Sequence, residues 1–113
     1  MGFAITDSSD ILLRGNDGNG YRYSQGILSR ISNDITSVGT IIANGYKSVF
    51  HAYDKSNQMN LYVYCNGTLK KVPSIYPSEY DISSSGLVVW RSGGVYLGTP
   101  GSCGPGIINL LLD

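Results

Sequence analysis

Short runs in which apolar and polar residues alternate are separated along the chain by clusters of Gly, Ser, Asn and Asp. That is the pattern of half-buried strands joined by turns. No segment carries an apolar stripe at helical spacing over three turns, so no helix is predicted. One phrase recurs: "AITDSSDILL" at 4–13, "DITSVGTIIA" at 34–43 and "DISSSGLVVW" at 81–90. Aligned on Ile5, Ile35 and Ile82, each copy runs through small polar residues into an aliphatic pair: Ile11-Leu12, Ile41-Ile42 or Val88-Val89. Ser and Gly end strand pairing while Ile and Val favour the pleated state, so each copy reads as a turn feeding a strand.

A second phrase follows the first. "YRYSQGILSRIS" at 21–32 matches "YVYCNGTLKKVPS" at 62–74, and "VYLGT" at 95–99 is a clipped third copy. Strand side chains alternate with period two, so Tyr21 and Tyr23 share one face, as do Tyr62 and Tyr64. Asn66-Gly67 is a type I′ hairpin signal, and Gln25-Gly26 stands in the same place in the first copy. "KSVFHAY" at 47–53 reads as a further strand turned by "DKSNQMN", and "GNDGNG" at 15–20 as the matching turn of the first unit. These patterns predict a single all-β domain over 1–104, with repeats near 4–33, 34–76 and 81–99, followed by an apolar C-terminal arm at 105–113. Each unit is an antiparallel meander of three or four strands.

The succession Ser-x-x-Gly-x-Val-Val-Trp, Tyr-x-Tyr, Asn-Gly and Thr-Leu-Lys-Lys-Val resembles the blade repeats of β-propellers of the Tol-associated and WD-related kinds. The resemblance covers most of residues 4–99 and implies four-stranded blades with a ligand or partner surface at a rim. Propellers typically close with about four to eight blades, and three repeats fall short of that number. Two architectures are therefore expected: a small sandwich or barrel, or a partial propeller completed by oligomerisation. Either leaves sheet edges that a neighbour or the chain's own tail must cover.

Charge narrows the partners. Eight basic and eight acidic residues cancel, and charged residues make up only 14% of the 113, against roughly 25% in an ordinary soluble domain. Phosphate backbones are held by clustered Lys and Arg, so nucleic acid is not an expected partner. Near-zero net charge favours association. The N-terminal stretch has no basic region followed by an apolar run, which predicts no secretion signal. "GIINLLLD" is far shorter than the roughly 20 residues that span a bilayer, so no membrane partner is expected.

Candidate chemistry is sparse. Cys65 and Cys103 each stand beside a turn with no second Cys or His at zinc-ligand spacing, and read as independent thiols, a bridge between them being the alternative. The one histidine, His51, lies on the opposite face to Phe50 with Asp54 nearby, but no nucleophile motif accompanies it. The acidic residues are scattered, and "NDGNG" lacks the alternating ligands of a calcium loop. No catalytic residue, metal or cofactor is assigned.

Two sets of residues remain for binding. Tyr21, Tyr23, Tyr62, Tyr64, Trp90 and Tyr96 are candidate glycan contacts, since such rings bring large area at small entropic cost. Ile107, Ile108, Leu110, Leu111 and Leu112 follow a Gly-Pro-Gly break and are candidate assembly contacts, either closing the chain's own sheet or adding to a neighbour's. The expectation is a non-enzymatic structural subunit of a larger assembly whose partners are other protein subunits, self or virion. The setting expected is a bacteriophage or other virion, as capsid decoration or tail-associated protein. The alternative is a carbohydrate-binding, lectin-like module.

Overall fold

A computed structural model describes residues 3–5, 11–44, 47–65, 68–72, 77–83, 87–98 and 110–111, of which 3–5, 97–98 and 110–111 are described by backbone alone. Among the described residues every regular element is a strand. The first sheet is β1 (Phe3–Ile5), β2 (Ile11–Arg14), β3 (Gly20–Ser24) and β4 (Ile27–Arg30). The second is β5 (Ile42–Asn44), β6 (Lys47–Tyr53), β7 (Met59–Cys65) and β8 (Thr68–Val72). The third is β9 (Glu79–Ile82), β10 (Val88–Arg91), β11 (Val95–Gly98) and β12 (Leu110–Leu111). All three are four-stranded antiparallel meanders in which each strand pairs with its sequence neighbour. The expected meanders are present, but they form three separate sheets, and the barrel among the expected architectures is not formed.

The turns explain why the strands reverse where they do. Gln25 and Gly26 both have positive φ (51° and 80°) between the paired residues Ser24 and Ile27, the type I′ geometry whose twist suits a hairpin. The β2–β3 and β6–β7 turns are built alike. Gly15 N donates to Asn19 O and Gly18 N to Gly15 O, just as Asp54 N donates to Gln58 O and Asn57 N to Asp54 O. Gly18 and Asn57 take the positive φ that each turn requires. Asn66-Gly67 lies outside the described residues; Cys65 and Thr68 on either side of it are paired.

The repeated phrase occupies equivalent places only in its first and third copies. Ile5 pairs with Ile11 across the β1–β2 connection, and Ile82 with Val88 across the β9–β10 connection, each with five residues between. In the second copy Ile35 and Thr36 belong to a connector, where Thr36 bridges Tyr53, and Ile42 opens β5, the first strand of its sheet. That connector, residues 31–41, is stitched to both neighbouring sheets by Ile31 N to Gly20 O, Val38 N to Gly18 O and Gly39 N to His51 O.

The core is two apolar layers with sheet 2 between them. Leu12, Phe50, Ala52, Tyr62 and Tyr64 cluster with Ile35, Val38 and Ile41 of the connector, filling the space between sheets 1 and 2. Val49, Leu61, Val63 and Val72 meet Ile82, Val88 and Trp90 between sheets 2 and 3. Phe50 and Val49 are both fully buried although they point to opposite faces, which explains the near-continuous apolar run of β6 and β7, as in any sheet covered on both sides. The first strands lie near one another in succession, β1 beside β5 and β5 beside β9. The sheets thus fan out from their first strands.

Candidate functional site

Period two divides each outer sheet into a covered and an open face. On sheet 1, Leu12 and its cross-strand partner Arg22 face sheet 2; Leu12 is fully buried, and the Arg22 guanidinium lies 5.9 Å from the centre of the Tyr64 ring. The opposite face carries Ile11, Leu13, Tyr21, Tyr23 and Leu28. Tyr23 and Leu28 are paired directly and are 43% and 59% exposed. On sheet 3, Val88 and Trp90 are buried against sheet 2, and Val89, which points the other way, is 38% exposed with Leu87 beside it at 37%. This open face also holds an ion pair between Arg91 Nε and Glu79 at 3.5 Å, with Asp81 across from Val89.

The matching hairpins allow these residues to be compared position by position. Tyr23 stands four residues past Asn19 and Tyr62 four past Gln58, the corresponding acceptors of the two turns. Tyr62 is 4% exposed, covered by sheet 1, whereas Tyr23 has no described residue over it to the same extent. Leu12 follows Ile11 as Val89 follows Val88 in equivalent pairings. Leu12 is covered by sheet 2, while Val89 is open.

A polar cleft of about 400 Å³ lies between the β2–β3 turn and the connector, lined by Arg14, Gly15, Asn16, Gly18, Ser37, Val38, Gly39 and His51. Arg14 Nη1 donates to Val38 O at 3.2 Å. Tyr80 OH donates to Thr40 O, so at His51 Nδ1, 3.0 Å away, it accepts. That order places the proton on Nδ1 and leaves Nε2 as the lone-pair nitrogen. Burial, and secondarily the Arg14 charge, hold the His51 pKa below its ordinary value. Gly39 is packed onto the ring: a methyl at its Cβ position would overlap His51 Cε1 and Nε2. His51 is therefore a neutral clamp joining sheet 2 to the connector and, through Tyr80, to sheet 3.

The glycan-contact set is split by this architecture. Tyr62, Tyr64 and Trp90 are each 4% exposed, and Tyr96 is stacked on Trp90 at 5.7 Å and packed against the second core layer. Stacking a sugar needs an open ring face, which those three buried rings do not offer. Tyr21 and Tyr23 share the open face of sheet 1, and the Tyr21 hydroxyl donates to Asp17. Of the C-terminal set, Leu110 and Leu111 form β12, whose backbone pairs with Leu97 and Tyr96 in the chain's own sheet; Ile107, Ile108 and Leu112 lie outside the described residues. Cys65 is disulfide-bonded, which corrects its reading as an independent thiol; Cys103 lies outside the described residues. Sequence reasoning missed Leu28, Leu87 and Val89 as exposed apolar residues. The signal was present in the alternation of "LVVW", but it became legible only once the buried side was known.

No family model matches the chain, and neither a curated protein nor a solved structure similar to it was found.

Proposed function

We propose that this chain is a non-enzymatic structural subunit, a propeller-like fan of three sheets whose open end faces seat against other protein subunits. The carrying observation is the matched pair of exposures. Tyr62 at 4% and Tyr23 at 43% occupy equivalent positions, as do Leu12 at 0% and Val89 at 38%. Positions buried in one copy and open in another are what an interface missing its partner would leave, and they support this reading. Exposed apolar patches of this kind mark interaction surfaces. The low charge content adds to this, since little on the surface opposes association.

A virion is the setting we favour. Disulfides persist at virion and cell surfaces and in other oxidising compartments, which accords with the bonded Cys65. The test is the size of the protein in an extract of its native source. It is expected in a species much heavier than 12.2 kDa, released from it by Leu28→Asp or Val89→Asp. A species of monomer mass in that extract would refute the assembly reading. A glycan-binding reading keeps the open ring of Tyr23 as its support; saturable glycan binding lost in Tyr23→Ala would favour it instead.

A further inference from the structure

We infer that the partner of both open faces is a second copy of this chain, joined head to tail so that two chains close a ring of six sheets. The inference rests on the assembly reading above and names its occupant. Two observations carry it.

The two open faces are the two halves of the interface that the chain already makes twice. The covered face of sheet 1 meets the Tyr62 face of sheet 2, and the Val49 face of sheet 2 meets the Trp90 face of sheet 3. Among the described residues, what remains open is a Tyr62-like face on sheet 1, bearing Tyr23, and a Leu12-like face on sheet 3, bearing Val89. One face of each kind remains, at opposite ends of the fan. A third contact of the same geometry therefore joins sheet 3 of one chain to sheet 1 of another.

Arithmetic then fixes the number of copies. A contact between different faces generates a ring when its rotation closes, and closed fans of sheets typically number about four to eight. With the three sheets that the described residues of this 113-residue chain form, two copies give six, the multiple that falls in this range, each sheet turning through about 60°. The succession β1 beside β5 beside β9 sets first strand next to first strand, as closure around a centre would require.

The test is sedimentation equilibrium of the purified 113-residue chain over a wide concentration range, beside Leu28→Asp and Val89→Asp. The expected result is twice 12.2 kDa for the wild type and 12.2 kDa for each variant. An equimolar mixture of the two variants is expected to recover a two-chain species, because one wild-type seam can still form between them. Both substituted side chains are exposed, and an unchanged circular dichroism spectrum checks that the variants fold. A monomeric wild type overturns the second copy as partner, and a heavy complex in the source extract would then still leave the assembly reading standing. Dimers that survive Val89→Asp but not Leu28→Asp overturn the head-to-tail order, and a stable mass above two chains overturns the six-sheet ring.

Discussion

Gly39→Ala is the substitution whose cost follows most directly from the structure. Gly39 has an ordinary backbone conformation, without positive φ, so alanine brings no backbone strain. Restricting the unfolded chain would by itself stabilise by about 0.4–1 kcal/mol. The methyl group, however, lands on the His51 imidazole, which cannot withdraw without giving up its 3.0 Å hydrogen bond to Tyr80. Forcing a methyl into a filled site costs about 1–3 kcal/mol, and a lost hydrogen bond about 0.5–1.5 kcal/mol. The balance is a net loss of about 1–3 kcal/mol, or on the order of 10 °C in melting temperature for a domain of this length. Urea and thermal unfolding of wild type, Gly39→Ala, His51→Ala and the double variant form a cycle. The alanine penalty is expected to vanish once the ring is gone, giving a coupling of at least about 1 kcal/mol. A neutral Gly39→Ala, or an equal penalty with and without His51, would refute the clamp.

Acid should weaken the protein in two stages. His51 is held neutral by burial, so its contribution is complete above pH 6.5 and is lost as pH falls below that value toward its lower folded pKa. The Asp54 carboxylate is stabilised by the Gln58 amide and by Lys71, so its share persists down to the ordinary carboxylate value of 3.8 and disappears below it, through its lowered folded pKa. Urea midpoints against pH are expected to show a knee beginning near 6.5 that His51→Gln removes; a flat wild-type profile from pH 7 to 5 would count against it. Ser48 Oγ is fully buried with no hydrogen-bond partner among the described residues. Ser48→Ala should therefore stabilise by about 1 kcal/mol, and a destabilised variant would mean that the hydroxyl has a partner. Cys65 is expected to resist alkylation in urea until a reductant is added; labelling without reductant would show it free.

The strands and turns were largely legible because their signals are local. "KSVFHAY" is a strand over the span predicted for it, and Gln25-Gly26 adopts the hairpin geometry its position suggested. What sequence could not show was the content of the far side of each sheet. Tyr21-x-Tyr23 and Tyr62-x-Tyr64 look the same on paper, and alternation places each pair on one face. Only the presence of sheet 1 over Tyr62 makes one pair core and leaves the other open. The second copy of the recurring phrase misled for a similar reason: Ile35, Val38 and Ile41 satisfy their hydrophobicity by wedging a connector between sheets, a use that strand periodicity does not distinguish from a hairpin. Gly39 and His51 meet through a backbone pairing that no spacing rule reveals. The bond at Cys65 is likewise a matter of three-dimensional proximity.

The most direct test is hydroxyl-radical footprinting of the intact, undiluted protein, read at Tyr23, Leu28 and Leu87 with Tyr62 and Tyr64 as buried references. If the end faces are seams of a ring, the three are expected to be protected nearly as well as Tyr62 and Tyr64, and to become reactive in Val89→Asp. Oxidation of Tyr23, Leu28 and Leu87 at the rate of the urea-unfolded chain, with Tyr62 and Tyr64 still protected, would contradict it: the sheets would be folded and their end faces bare.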